Sequence, residues 1–143
     1  MRYNKIRKMD IADGPGVRVS IFLQGCSFNC KNCFNQETHD FNGGKEFNQE
    51  TVDEVMNLCK KDYVKGLSIL GGEPMHPKNI KATEMLAKEF KKEFPNKNLW
   101  VWSRIYIWRL SKKSRCYEIY RCNCRWTICR WITWPNFKME RIF

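Results

Sequence analysis

Three cysteines near the N-terminus have the spacing of a metal-binding loop. Cys26, Cys30 and Cys33 form a C-x3-C-x2-C pattern directly after the apolar residues 19–23. Thiolates are soft ligands that suit zinc and iron–sulfur clusters. A structural zinc site and a cubane cluster each usually take four protein ligands. Three local thiolates would leave one coordination position open, so the pattern indicates a reaction site rather than a closed structural site.

A second motif follows a second apolar run. Gly71-Gly72-Glu73-Pro74 comes directly after residues 67–70. Glycines let a backbone approach a ligand without an intervening Cβ, and the Glu73 carboxylate could accept hydrogen bonds from an ammonium group. The alternative is an ordinary strand-to-helix turn with Glu73 in solvent. Two glycines alone are weak evidence, whereas their combination with the cysteine loop favours a binding site.

The two motifs together resemble the signature of the radical S-adenosylmethionine enzymes. The segments DGPGVR at residues 13–18, MHP at residues 75–77 and LWVW at residues 99–102 narrow the match. So does Asn32, which stands before the third cysteine where many of these enzymes have an aromatic residue. These features resemble the activating proteins of anaerobic ribonucleoside-triphosphate reductase. The resemblance covers roughly residues 1–103.

This resemblance implies a cofactor and a partner. Cys26, Cys30 and Cys33 would hold a 4Fe–4S cluster whose fourth iron binds the amino and carboxylate groups of S-adenosylmethionine. An electron donor such as reduced flavodoxin would supply one electron, and cleavage of the sulfonium would release a 5′-deoxyadenosyl radical. That radical would remove a hydrogen atom from a glycine of the anaerobic ribonucleoside-triphosphate reductase. No side-chain acid or base is needed, so no catalytic residue of that kind is predicted.

The same resemblance implies contacts with S-adenosylmethionine. Gly71, Gly72 and Glu73 would hold the methionine amino end. The backbone around Asn32 and Phe34 would lie beside the adenosyl part.

Other functions stay open at this point. One is activation of a different glycyl-radical enzyme, or a small-molecule radical reaction such as deazapurine synthesis. A basic, metal-binding nucleic-acid module is an alternative from another class, because the formal net charge is +11. Cys59 falls on an apolar helical face and is predicted to be a buried hydrophobic side chain. Neither His39 nor His76 lies in a metal-ligand motif, so neither is assigned as a ligand.

The apolar runs predict three strands, at residues 17–23, 67–70 and 99–102. Helical patterns lie between them, and this alternation predicts a parallel sheet of the α/β class. The chain has 143 residues, fewer than the roughly 250 typical of an eight-fold barrel. The predicted fold is therefore a partial, open parallel β/α barrel of the type that the resemblance implies. Arg18, near the start of the first strand, is a candidate to contact an acidic group.

The first helix is predicted over residues 47–61. Asn48 would cap it, and Thr51 with Glu54 fits a capping box. The second helix would begin near Pro77.

Residues 104–143 differ in composition from the rest. Residues 1–103 hold 16 Lys+Arg and 13 Asp+Glu, whereas residues 104–143 hold 10 and 2, so most of the basic charge lies in this tail. The tail has no glycine, but it has four tryptophans and the cysteines Cys116, Cys122, Cys124 and Cys129. One interpretation is a nucleic-acid-binding arm, and another is a second metal site, but neither the aromatic nor the cysteine spacing is regular.

A shift of reading frame explains this tail better. Read with a shift of one base, the codons of Trp126-Thr127 must encode glycine and those of Met139-Glu140 must encode tryptophan. The shifted text permits the Val-Asp-Gly and Trp-Arg-Gly-Ser segments that end the chains of the same activase family. We therefore predict a core at residues 1–103. Residues 104–143 would be an irregular or disordered out-of-frame tail, not an independent domain.

Compartment and partners follow from charge and hydropathy. The first ten residues are charged and lack the apolar segment of a secretory signal. No apolar run approaches the ~20 residues that span a membrane. The chain is predicted to be cytoplasmic, with neither a membrane nor a nucleic acid as a partner.

Overall fold

The computed structural model describes residues 1–105 in full and the backbone of residues 130–132. Six strands form one sheet in the order β3-β1-β2-β4-β5-β6. The strands are β1 (Arg2–Asp10), β2 (Arg18–Leu23), β3 (Lys45–Glu46), β4 (Gly66–Gly71), β5 (Asn98–Val101) and β6 (Arg130–Ile132). The helices are α1 (Gln49–Cys59) and α2 (Ile80–Glu93).

The three strands predicted from apolar runs form the centre of the sheet. β2 pairs with β4 and β4 with β5, both in parallel, and Ile21, Ile69 and Val101 lie side by side across them. Every residue of β2 is buried, as expected for a central strand of a parallel sheet. The predicted strand positions and the α/β class are confirmed, and the carboxyl ends of all three strands meet at one edge.

The sheet is mixed, which corrects the prediction of an all-parallel sheet. β1 pairs antiparallel with β2, β3 pairs antiparallel with β1, and β6 pairs antiparallel with β5. Residues 1–10 contain several charged side chains and no apolar run, so β1 was not predicted from the sequence. Lys5 and Arg7 place their cationic groups 4.9 and 4.8 Å from the ring centroid of Phe22. Such side chains cover an apolar strand with their stems while their charged ends stay near water.

Both helices pack on the sheet through the predicted apolar faces. Asn48 caps α1, and its capping box pairs with Thr51, so the predicted box of Thr51 with Glu54 was wrong. Thr51 is the third residue of the helix, which places it within reach of the Asn48 side chain and backbone. α2 begins at Ile80, after Asn79, rather than in the turn of Pro77. One core joins both helices to β2, β4 and β5.

The sheet is open, as predicted, because β3 and β6 end the described sheet on opposite sides. A closed barrel is not formed by the described residues. The predicted irregular tail lies mostly outside them, apart from β6, which pairs Trp131 with Trp100. Neither described helix has the length and apolar character needed to cross a membrane.

Candidate functional site

The two sequence motifs meet at the edge where the parallel strands end. Residues 24–35 follow β2, the Gly-Gly-Glu-Pro motif follows β4, and Ser103 follows β5. The Gly72 N–H donates to the Leu23 carbonyl at 2.8 Å, and the Glu73 N–H donates to the Gly25 carbonyl at 2.9 Å. These hydrogen bonds hold the second motif against Leu23 and Gly25, directly before Cys26. α/β sheets bind ligands at this edge.

Main-chain hydrogen bonds hold the cysteine loop in place, one within the loop and one to His39. The Cys26 N–H donates to the His39 carbonyl at 3.1 Å, and the Cys33 N–H donates to the Cys30 carbonyl at 3.2 Å. Asn29 and Asn32 have φ of 44° and 59°, a left-handed conformation that asparagine tolerates better than most residues. Asn32 thus lets the loop turn directly before the third cysteine.

The three thiols are free and half-buried. Burial raises the pKa of Cys26, the Phe28 N–H opposes this effect, and the negative charges of Glu73, Cys30 and Cys33 raise it further. Within the described part of the chain no three His, Cys, Asp or Glu side chains form a preformed metal site. Cluster binding would require the thiols to turn toward one another, which their partial exposure permits.

Gly71 and Gly72 are required by the neighbouring backbone. Gly71 has φ of 106°, and a Cβ there would lie 2.7 Å from the Leu23 nitrogen. A Cβ on Gly72 would collide with the Gly25 carbonyl oxygen and lie 2.8 Å from its carbon. The glycines therefore let two loops touch, whereas the sequence interpretation assigned their small size to a ligand.

Glu73 is buried, with only 2% of its surface exposed, which rules out the alternative of a solvent-exposed turn residue. Its Oε1 accepts from the Met75 N–H at 2.9 Å and from the Ser103 hydroxyl at 2.5 Å. Its Oε2 accepts from the Arg104 N–H at 2.9 Å. Burial raises the pKa of Glu73, while these hydrogen bonds work in the opposite direction.

Phe34 and Asn32 lie on the outer side of the loop. The Phe34 side chain is fully exposed at 101%, and Asn32 is also exposed. Neither side chain is packed into the sheet edge.

Arg104 bridges the two motifs. Its backbone N–H binds Glu73, and its Nη1 donates to the Cys30 Sγ at 2.9 Å. Its guanidinium lies 5.2 Å from the Phe28 ring centroid. A cation is therefore placed directly on one of the three thiols.

Arg18 serves the fold rather than the site. It is fully buried and donates to the Ser68 hydroxyl at 2.7 Å, as well as to Asn98 Oδ1. Its further acceptors are the carbonyls of Pro15 and Leu67. The charge of Arg18 also acts on Asp13, whose pKa is raised to about 6 by burial and by Asp10, against the charges of Arg7 and Arg18.

Cys59 is buried, as its position on the apolar helical face predicted, and the two histidines contact other parts of the fold. Cys59 is fully buried in the core, and burial raises the pKa of its thiol to about 12. His76 packs against Phe41, with ring centroids 4.7 Å apart. His39 contributes its backbone carbonyl to the cysteine loop.

Sequence reasoning missed three residues that organise this edge. Ser103 and Arg104 were placed at the boundary of the core and were not assigned to the site. The Asn79 side chain donates to the carbonyls of Gly25 and Glu73 at 3.0 and 3.1 Å, and it makes no cap bond to α2. An asparagine before a helix usually caps that helix, so the sequence position of Asn79 predicts a cap and not a contact between the two motifs.

Comparison with known proteins agrees with this arrangement. Residues 12–124 match the family described as "4Fe-4S single cluster domain". An anaerobic ribonucleoside-triphosphate reductase-activating protein of Vibrio cholerae is 38% identical over 105 residues, covering 72% of this chain and 68% of the relative. The protein of that name from Enterobacteria phage T4 is 36% identical, covering 72% of this chain and 66% of the relative. The protein of that name from Escherichia coli K12 is 34% identical, covering 72% of this chain and 68% of the relative. The chain spans about two thirds of the length of these relatives, and it belongs to the family of anaerobic ribonucleoside-triphosphate reductase-activating proteins.

Proposed function

We propose that this chain generates a glycyl radical on an anaerobic ribonucleoside-triphosphate reductase. Cys26, Cys30 and Cys33 would hold a 4Fe–4S cluster beside a bound S-adenosylmethionine. The observation that carries the proposal is the Glu73–Gly25 main-chain hydrogen bond, because it fixes a buried carboxylate next to the cysteine loop. The names of the relatives support the choice of the reductase as partner.

The residues present fit both groups. Three free, half-buried thiols share one loop, which suits a cluster with one open iron. Glu73 offers a negative charge to the methionine amino end. When bound, the cluster and S-adenosylmethionine would supply the one-electron chemistry that forms the radical.

The protein would position and shield these groups. Gly71 and Gly72 would keep the Glu73 loop against the cysteine loop, so that the two halves of the site hold a constant distance. The backbone at Asn32 and Phe34 would border the adenosyl part, and the exposed Phe34 ring is available for contact with the reductase. A reduced flavodoxin would serve as electron donor. A cytoplasmic location fits, since thiolate ligands persist in reducing compartments.

The frame shift belongs to this proposal. We infer that residues 104–143 are translated out of frame and that the chain as written is impaired or inactive. The alignments with the Vibrio and Escherichia proteins span 105 residues, about the length of the part before the break, although that with the Haemophilus influenzae protein spans 117 and the family model reaches residue 124. Deleting one base near the Ser103 codon should yield a soluble protein that cleaves S-adenosylmethionine. An equally inactive, insoluble product would contradict the frame shift.

Cysteine variants test the cluster. After anaerobic reconstitution we expect about four irons and four sulfides per chain. Cys26→Ala, Cys30→Ala or Cys33→Ala should each abolish iron binding. Cys59→Ala is the matched control, because its thiol lies in the core, and it should keep full iron content. Iron retained in all three loop variants would overturn the proposal.

A further inference from the structure

Ser103 occupies a defined place beside Glu73. Two residues after the end of β5, its hydroxyl lies 2.5 Å from Glu73 Oε1. The same oxygen accepts the Ile105 N–H at 3.0 Å and is 3.5 Å from the Ile105 carbonyl. A serine hydroxyl has a single hydrogen to donate. The much shorter distance assigns that hydrogen to Glu73.

The donors around Glu73 can be counted against its acceptor positions. An ionised carboxylate has about four lone-pair sites on its two oxygens. Oε1 receives the Met75 N–H and the Ser103 hydroxyl, which fill its two sites. Oε2 receives the Arg104 N–H, and the Ile105 N–H also favours the charged form of this carboxyl. None of these donating groups is itself charged, so the negative charge of this buried carboxylate is solvated by dipoles and is not neutralised by them.

We propose that Ser103 is the positioning residue for Glu73. By filling the second site of Oε1, the hydroxyl fixes the carboxylate plane and so sets the direction in which its negative charge meets a cationic group. In the site described above that group is the ammonium of S-adenosylmethionine, so the inference rests on the proposed function. A hydroxyl that follows β5 thereby orients a carboxylate that follows β4.

A merely structural role would have a different signature. If Ser103 only closed the turn to Ile105, its removal would weaken the protein irrespective of what stands at position 73. If it acts through Glu73, the two residues must show energetic coupling, which a double-mutant cycle measures.

The experiment uses the full chain, reconstituted anaerobically, with binding of radiolabelled S-adenosylmethionine measured by equilibrium dialysis. Iron content and thermal unfolding are recorded for every variant. The variants are Ser103→Ala, Ser103→Thr, Glu73→Gln and the double variant Ser103→Ala with Glu73→Gln. Thr83→Ala is the matched control, because its buried hydroxyl donates to the Pro74 carbonyl of the same motif at 2.8 Å without contacting the carboxylate.

We expect Ser103→Ala to weaken binding roughly tenfold, since hydrogen bonds to charged groups are among the stronger ones, with iron content unchanged. Ser103→Thr, which keeps the hydroxyl, should bind within about twofold of the original chain, as should Thr83→Ala. In the Glu73→Gln background, Ser103→Ala should cause no further loss. Should Ser103→Ala fail to fold, Ser103→Cys replaces it, and its weaker donor should give an intermediate affinity.

The outcomes separate the two proposals. Absence of iron, or of any S-adenosylmethionine binding, in both the original chain and the chain with its reading frame restored would overturn the proposed function together with this inference. Iron and normal binding in the original chain, with equal binding by Ser103→Ala, would overturn the positioning role alone. The same loss in both position-73 backgrounds would show that Ser103 supports only the turn.

Discussion

Gly72→Ala separates two explanations for the glycines of the second motif. If Gly72 is small only to admit a ligand, alanine should weaken S-adenosylmethionine binding and leave the cluster intact. The structure instead places the Gly25 backbone in the path of the new Cβ, with the carbonyl carbon at 2.8 Å and the nitrogen at 3.0 Å. Gly25 directly precedes Cys26, so the cysteine loop itself must move.

The size of the effect follows from these distances. Carbon atoms in contact prefer a separation of about 3.5 Å or more, so the two loops must separate by roughly 0.7 Å. Overpacking of this kind typically costs about 1–3 kcal/mol. The displaced backbone carries the first cluster ligand. We therefore expect both a lower unfolding temperature and a reduced iron content, with S-adenosylmethionine binding weakened as a consequence.

Gly43→Ala is the matched control. Its Cβ would meet the end of the Gln24 side chain at 2.8 Å, and a side-chain amide can move where a backbone cannot. The assay is iron per chain after anaerobic reconstitution, together with thermal unfolding of the reconstituted protein. Full iron content and an unchanged unfolding temperature in Gly72→Ala would refute the backbone explanation. Loss of S-adenosylmethionine binding alone would favour the ligand explanation.

Two further predictions concern charge. The pKa of Asp13 is raised from 3.8 to about 6 by burial and then by Asp10. Between these two pH values the folded chain keeps a proton that the unfolded chain releases. The free energy of unfolding should therefore fall as the pH rises from about 4 to about 6 and stay lower above that. Asp13→Asn removes this penalty, and urea unfolding should show a gain of about 1–2 kcal/mol at pH 7 that is absent at pH 3.5, whereas an equal effect at both pH values would contradict the pKa shift. In the chain as written, the guanidinium of Arg104 donates to the Cys30 sulfur, and hydrogen bonds to the ligand sulfurs favour the reduced cluster. Arg104→Gln should therefore lower the midpoint potential of the cluster, by about 59 mV for each tenfold change in the reduction equilibrium. A redox titration followed by electron paramagnetic resonance should show no such change in Lys31→Gln, an exposed lysine of the same loop, and an unchanged potential in Arg104→Gln would refute the role of this contact.

Local spacing was sufficient to predict several features. Cys26, Cys30 and Cys33 share a loop because they lie close together in the chain. That loop follows a strand because the residues before it are apolar. The burial of Cys59 follows from its position on the apolar face of α1. Each of these features depends on residues no more than about two helical turns apart, so the sequence alone determined them.

The tertiary structure decided which distant groups touch. The sequence marked Glu73 as a candidate but not its donors Ser103 and Arg104, which lie 30 and 31 positions further along the chain. Arg18 donates a hydrogen bond to Asn98, 80 positions further along the chain. β1 was not predicted because its charged residues give no apolar run, and its backbone is satisfied by pairing with β2 and β3, which are distant in the chain.

The physical reason is common to these cases. A hydrogen bond needs its two atoms within a few tenths of an ångström of the correct distance, and for residues far apart in the chain that distance is set by strand order and register. Residue types and spacing state which chemistry is available. Only the parallel pairing of β2, β4 and β5 brings the cysteine loop, the glutamate and the serine to one edge of the sheet, where that chemistry can be assembled.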